Sequence, residues 1–323
     1  MNLEKFSDDT STNRMMLVET FVRIVDAGSL SAAARLLGTT QPTVSRRLKA
    51  LETSLGVRLL QRSTHAMTLT DDGMRCYQRA RELIAGWQAF ESEIRGAGDE
   101  PVGLLRVIAP HAFGQQQLVA PLAEYLKRYP RMTVEWTLHD RTPDLIGAGI
   151  DCVIRVGDDP PPDMVAIRLG EVPRIVVAAS SLLDGRGMPA HPDALPALPW
   201  IAASNFYRDE VVLSHAASGA TVRLAIRPRL YTDNLYTLRN AALLGVGVAL
   251  GSHWALHDEL DTGRLVQLVP QWQATPLPIW LIYPPARFYP ARLRRFIEIM
   301  RVAVPQAFGI APVDADGIPP PPR

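Results

Sequence analysis

Apolar residues recur every three or four positions over the front of the chain, and in short β-rich runs with intervening helical stretches over the remainder. Met16, Leu17, Phe21, Ile24 and Val25 form one helical stripe. A second helix opens at Ser29, whose hydroxyl suits the free amides of a helix start. It carries Leu30, Ala33, Ala34, Leu36 and Leu37 inward and stops at Gly38. Thr39 and Thr40 make the turn. Gln41, Pro42 and Thr43 then open a third helix, with proline in the first turn, where a missing N–H is harmless. Val44, Leu48, Leu51 and Leu55 mark its inward face. Residues 57–62 and 67–70 read as a two-stranded wing around a turn at 63–66. Thr70 suits the cap of a long helix in which Tyr77, Ala80, Ile84, Trp87, Glu91 and Ile94 alternate by three and four, widened by Leu83 and Phe90. A protruding helix cannot bury that stripe within itself. Pairing with a second copy is the economical solution, and packing on its own body is the other.

Residues 96–103, GAGDEPVG, break that helix and read as a hinge. Beyond them come a strand at 104–109, a helix at 115–129, a strand at 133–138, a short helix at 143–148 and a strand at 152–156, the alternation of a mostly parallel sheet. Residues 165–169 lead out of this first lobe. A second lobe begins at 174–179 and takes in 200–203, 221–226, a helix at 234–244 and a strand at 246–250, before 277–283 and 293–302 return to the first. Residues 1–14 are expected to be disordered or frayed. The tail at 305–323, ending DADGIPPPPR, has too few apolar residues to pack and is expected to be a disordered, proline-rich end.

Composition adds scale: 323 residues at 47% apolar content suffice for more than one cored domain. Charge adds direction. The whole chain is only +1, yet residues 29–64 hold six lysines and arginines against one acid, Glu52, so the charge is a local footprint. The outward face of the third helix carries Gln41, Thr43, Ser45, Arg46, Arg47 and Lys49. Short polar side chains near a helix start can approach base edges, while arginine and lysine meet phosphates or guanine edges. Arg58 and Arg62 fall in the wing. A basic amphipathic helix alone is more often a solvated surface; the order of helix, turn, helix and wing is what selects DNA binding. No run approaches the roughly 18 apolar residues a membrane span needs, and no signal-peptide core opens the chain, so a cytoplasmic protein is expected. The two cysteines and seven histidines lack metal-ligand spacing, and no nucleophile–base motif emerges. No cofactor, metal or catalysis is expected.

These parts resemble the LysR-type transcriptional regulators: GSLSAAARLLGTTQPTVSRRLKALETSLGVRLLQR after the helix at 17–26, LTDDG at 69–73, LLRVIAP at 104–110, YP at 129–130, DRTPDLIGAGIDCVIRVG at 140–157 and GVGVALGSHWAL at 245–256. The resemblance implies a winged helix-turn-helix over 15–70, a linker and dimerisation helix over 71–95, and a two-lobed α/β effector domain over 104–304 like the type 2 periplasmic binding proteins. Lobe I would take about 104–169 and 277–304, and lobe II about 173–267, with crossings near 169–173 and 267–276. Gln41, Pro42, Thr43, Ser45, Arg46 and Arg47 would lie on the DNA-reading helix and Arg58 and Arg62 in the wing, with Ser31, Thr40 and Lys49 completing the set.

Effectors in such a fold sit in the cleft, at strand ends and helix starts. The lining candidates are Pro110, His111, Ala112, Phe113, Thr142, Ser204, Asn205, Phe206, Thr232, Asp233 and Asn234. His111 reads equally as a loop residue, Asp233 as a helix cap, and Arg155 and Arg168 either as partners of an anionic effector or as salt-bridged arginines. Phe113 and Phe206 suit an apolar or aromatic ligand portion. One departure is local: where many relatives have leucine-proline, this chain has Leu250, Gly251, Ser252, His253 and Trp254. The implied partners are promoter DNA, a second copy of the chain in a homodimer or tetramer, RNA polymerase for an activator, and a small organic, aromatic or acidic effector. The alternatives are a ligand receptor without a DNA role, and a repressor that needs no ligand and fills its cleft with its own side chains.

Overall fold

The computed structural model describes residues 9–62, 67–94, 100–140, 144–157, 159–185, 187–286 and 288–308. The wing turn at 63–66, residue 95 with hinge residues 96–99, Thr142 and the tail beyond 308 lie outside the described residues. The front of the chain comprises α1 (Asp9–Ala27), α2 (Leu30–Leu36), α3 (Gln41–Leu55), β1 (Leu60–Arg62), β2 (Met67–Leu69) and α4 (Asp71–Ile94). Phe21, Ile24, Ala33 and Val44 are fully buried in one shared core. The Ser29 hydroxyl accepts the Ala32 amide at 3.1 Å, and that of Thr70 accepts the Gly73 amide at 2.9 Å, so both expected caps form. The lone acid of the basic stretch is also used: Glu52 accepts the Leu59 amide at 2.8 Å and ties the wing to α3.

Several expectations for this front need correcting. α1 begins at Asp9, inside the stretch expected to be frayed, because extending a formed helix costs far less than starting one. Leu36 and Leu55, expected inward, are 68% and 49% exposed; each lies in the last turn of its helix, at the edge of a small core. The α4 stripe divides. Tyr77 and Ala80 are buried in the core of the helix-turn-helix, whereas Leu83, Trp87 and Phe90 remain about half exposed.

The body comprises β3 (Gly103–Ala109), α5 (His111–Gln115), α6 (Val119–Arg128), β4 (Met132–Leu138), β5 (Cys152–Val156), β6 (Val165–Ala179), β7 (Trp200–Ala203), β8 (Glu210–His215), β9 (Thr221–Ala225), β10 (Pro228–Thr232), α7 (Leu235–Leu243), β11 (Val248–Ser252), α8 (His253–Asp261), β12 (Leu265–Leu268), β13 (Trp272–Tyr283) and α9 (Ala291–Ala307). The main path of the sheet runs β10-β7-β11-β6-β13-β5-β3-β4. It is mixed and not mostly parallel. β3 runs parallel to β4 and β5, and β7 parallel to β10 and β11, but β6 and β13 are antiparallel to each other and to their other neighbours.

One lobe packs around Leu105, Tyr125, Ile154 and Phe296, and the other around Trp200, Leu213, Val248 and Ile201. β6 and β13 run unbroken through both, so the two expected crossings are one antiparallel ribbon. Its register shifts between the pairs Leu277↔Val172 and Ala274↔Arg174. Pro173 and Pro276 sit there without an N–H to donate, which loosens the ladder without ending the strands.

Three further corrections concern helices. The helix expected over 115–129 begins only at Val119, after the short α5, because the chain turns at 116–118 to bury Leu118, whose amide bonds the Phe113 carbonyl at 3.0 Å. Instead of a helix over 143–148, residues 144–150 make a single turn closed by the Ala148 amide on the Asp144 carbonyl, since Gly147 and Gly149 do not sustain a helix. The tail does not begin at 305. α9 continues through buried Pro305, and Phe308 packs on Phe113 with ring centroids 4.6 Å apart. Burial pushes both thiols up, Cys152 well above its ordinary value, consistent with packing roles. No helix among the described residues is long and apolar enough to cross a membrane.

Candidate functional site

The first site is the outward side of α3. Gln41, Pro42, Arg46 and Lys49 are exposed and Thr43, Ser45 and Arg47 half-buried, while Val44, Leu48 and Leu51 anchor the opposite side. Thr40, before the first turn, is exposed; its hydroxyl and that of Thr43 are 2.9 Å apart, and no side chain caps the α3 amides. Ser31 is exposed on α2. Arg46 Nη2 lies 3.5 Å from the Thr43 hydroxyl, the outer limit of a hydrogen bond. Ser45, Lys49 and exposed Arg58 border one groove between α3 and the approach to the wing. Arg62 ends β1 opposite Met67. The result is a cationic helix face on which, among the described residues, no acid pairs with Arg46, Arg47, Lys49 or Arg58, the arrangement a phosphate backbone needs.

The second site is a cavity of about 300 Å³ between the lobes. Seven sequence candidates line it: Pro110, Ala112 and Phe113 from the turn after β3, and Asn205, Phe206, Asp233 and Asn234 from the other lobe. Four do not. His111 is turned to Asp140, which accepts its backbone amide and faces its Nδ1, each at 3.0 Å. Ser204 donates its amide to the Thr232 carbonyl, the Thr232 hydroxyl accepts the Asn234 amide, and Thr142 lies outside the described residues. The cap of α7 is Asn234, which accepts the Thr237 amide at 3.0 Å, and not Asp233. Arg168 bonds Glu171 and stays out of the wall, whereas Arg155 is in it.

Sequence reasoning missed the apolar wall of Val153, Ile154, Val156, Leu235 and Leu238, and above all Arg174. A single arginine before the apolar run IVVAA was the available signal, since such strands rarely bury a charge. Ser252 of the departing LGSHW stretch also lines the cavity, and the Trp254 ring packs at a tilt against Phe113 with centroids 4.9 Å apart.

A polar junction joins the front of the chain to the body. Asp26 of α1 accepts bonds from the Tyr77 hydroxyl at 2.6 Å and from Arg106 of β3 at 3.2 Å. Arg106 also donates to Glu135 at 2.9 Å, and its amide to Asp151 at 2.8 Å. Asp151 in turn accepts from Arg81 of α4 at 2.7 Å. Burial and the Asp26 carboxylate hold the Tyr77 phenol well above its ordinary value, so it stays a donor. Gly149 sits in the left-handed region beside this cluster, where an added Cβ would meet the Tyr77 oxygen at 2.7 Å. Among the described residues no cluster of three or more His, Cys, Asp or Glu could hold a metal ion.

A cationic helix-turn-helix, joined by a long helix to a two-lobed α/β body with an interlobe cavity, defines a DNA-binding regulator equipped to sense a small molecule. The family description for the bacterial regulatory helix-turn-helix protein, lysR family, matches residues 15–74, and that for the LysR substrate binding domain matches 98–304. The chain belongs to the LysR-type transcriptional regulators. It is 31% identical over 282 residues to the HTH-type transcriptional regulator PtxR of Pseudomonas aeruginosa, spanning 87% of this chain and 90% of that one. It is 32% identical over 270 residues to the HTH-type transcriptional activator AaeR of Escherichia coli, spanning 84% and 87%. The full-length structure of the Vibrio cholerae virulence activator AphB is similar with a TM-score of 0.55 and 26% identity, covering 88% of this chain and 98% of that one.

Proposed function

We propose that this regulator reads promoter DNA in the cytoplasm through Gln41, Thr43 and Ser45 of α3, with Ser31, Thr40, Pro42, Arg46, Arg47, Lys49, Arg58 and Arg62 positioning it on the backbone. Residues 15–70 form the reading unit. α4 pairs with that of a second copy through Leu83, Trp87 and Phe90, an apolar face exposed in the single chain. The pair addresses two half-sites, and a tetramer extends the same scheme. A small organic effector in the interlobe cavity biases one arrangement of the lobes. The protein acts by binding and not by catalysis, and contacts RNA polymerase where it activates.

One observation carries the control mechanism: β5 lines the cavity with Val153–Val156 (residues 153–156), and Asp151, directly before it, is bonded to Arg81 on α4. An effector pressing on β5 therefore acts two residues from the tie to the linker helix. Such a ligand shifts a population only as far as it favours one state over the other. Binding of the purified protein to the DNA beside its own gene, followed by footprinting in a salt series with a panel of small organic acids, tests this. A salt-sensitive, sequence-specific footprint that one compound alters supports the reading. Equal binding to random DNA, unchanged by every compound, defeats it.

A further inference from the structure

Arg174 lies on β6 as the strand enters the second lobe, with only 3% of its surface exposed. A guanidinium stays protonated at any pH the fold meets, so burying one without a counter-charge is costly. Other buried charges in this chain are matched: Glu259 by Arg239 and Arg264, Asp151 by Arg81. The hydrogen bonds of Arg174 go instead to neutral oxygens, the Leu250 carbonyl at 2.8 Å and the Tyr207 hydroxyl at 2.7 Å, both from Nη2. Its Nε has no partner among the described residues. Arg174 is part of the cavity wall.

The rest of the wall says what kind of anion would complete it. Ser252 is the cross-strand neighbour of Arg174, is itself buried, and lines the same cavity. The start of α7 also reaches the wall, and the amides of a helix's first turn favour negative charge. Val153, Ile154 and Val156 of β5 and Leu238 of α7 supply apolar residues to the same wall. The Phe206 ring covers the guanidinium at 5.4 Å and reaches across the cleft to Gly157, where an added Cβ would meet it at 2.6 Å. The two acids of the wall, Asp140 and Asp233, belong to exposed residues, so a second carboxylate on the ligand meets like charge. Arg155, the other arginine of the wall, is already engaged within the protein.

We propose that Arg174 anchors the anionic group of the effector, and that the effector is a small monocarboxylate with an apolar body. This rests on the reading of the interlobe cavity as the effector site. The carboxylate supplies the missing counter-charge beside Arg174 and Ser252, and the apolar body lies along β5 and α7.

The test uses the full-length protein with benzoate and cyclohexanecarboxylate as probes, benzamide as the neutral counterpart and phthalate as the dianion, followed by calorimetry and thermal shift. The monoacids should bind and raise Tm, with benzamide and phthalate at least tenfold weaker. Arg174→Met should lose at least tenfold in benzoate affinity, and Arg174→Lys should keep part of it. Arg174 also bonds the Leu250 carbonyl, so the acid–amide comparison on the unaltered protein carries the test even if Arg174→Met fails to fold. Benzamide binding as tightly as benzoate, no binding of either monoacid, or unchanged benzoate binding by folded Arg174→Met overturns the proposal. Benzoate that binds through Arg174 yet leaves the DNA footprint unchanged upholds the anchor and sinks the cavity's controlling role. A neutral compound that alters the footprint while the acids do not bind does the reverse.

Discussion

Two groups of arginines in this chain are put to opposite uses. Arg46 and Arg47 of α3, with Arg58 before the wing, stand at the surface of the reading unit, and the single side-chain bond described for them is the long one from Arg46 to Thr43. Arg81, Arg106 and Arg174 are sunk into the junction and the cleft, with side chains of Arg81 and Arg106 only 22% and 13% exposed and Arg174 more deeply buried still. The surface group acts through a field that salt screens and that any phosphate chain can answer. The buried group acts through geometry, because in a poorly screened interior only a correctly placed acceptor repays desolvation. The same residue type therefore supplies long-range attraction at one end of the molecule and a fixed joint, or a ligand anchor, at the other.

The sharpest way to break this contrast is at the junction. Arg106→Ala leaves Asp26 without one of its two described donors and Glu135 without its partner, while the backbone amide at 106 still reaches Asp151, and removing one partner of a buried pair costs about 3–5 kcal/mol. Chemical denaturation should show that loss, nearly independent of salt between low and moderate ionic strength. A loss that vanishes with added salt would show that Arg106 works by a screened surface field after all.

A second buried tie adds a pH signature. Hydrogen bonds from Arg239, reinforced by Arg264, lower the pKa of Glu259 on α8 below its ordinary 4.5. A carboxylate whose folded value is depressed stabilises the fold above its unfolded pKa, and that contribution disappears as pH falls through the lower folded value. Glu259→Gln should thus cost about 2 kcal/mol at neutral pH, the scale of hydrogen bonds to a charged group. Denaturation curves of variant and parent should converge below pH 4.5; a gap that stays constant into acid would assign the loss to packing alone.

The two groups differ as much in legibility as in use. The reading unit follows from local pattern: an apolar stripe at 44, 48 and 51, a cap at Ser29 and a charge excess within one short stretch are all visible along the chain. The junction is not, because its bonds join residues far apart, such as Asp26 with Arg106 or Arg81 with Asp151. The cleft lies between. Pro110, Phe113, Asn205, Phe206 and Asp233 reach the cavity because strand ends and helix starts predict them, whereas His111, Ser204 and Thr232 occupy similar loops but spend their polar groups on neighbours. Period alone did not reveal that β6 and β13 run through both lobes, since prolines in a ribbon and prolines in a linker look alike in one dimension.

The surface group should fail differently from the buried one. Arg47→Ala should leave folding stability unchanged within about 0.5 kcal/mol, as surface changes usually do. It should weaken DNA binding by about 1 kcal/mol and lower the salt slope by about 1, the mark of one lost phosphate contact. Fluorescence anisotropy on operator and random duplexes across a salt series measures all of this. Equal loss on both duplexes with a reduced slope fits a backbone contact; loss on the operator alone moves Arg47 to base reading. A changed unfolding midpoint with an unchanged slope would place it with the buried group.

The smallest effect is the most useful control, because it separates position from charge. Arg79 on α4 is exposed and lies off the α3 face, and it forms a surface pair with Glu82 at 2.9 Å. Exposed helix pairs of this spacing contribute about 0.2–0.5 kcal/mol, and salt screens even that. Arg79→Ala removes the same unit of charge from the protein as Arg47→Ala, so the two variants have equal net charge. If the DNA-facing arrangement of α3 is what matters, Arg79→Ala should leave the salt slope intact and shift stability by no more than the surface pair is worth. If it lowers the slope as much as Arg47→Ala does, the protein attracts DNA by overall charge, and the division between a reading face and the rest of the surface fails. The null effect thus tests whether the arginines of α3 act as a positioned set.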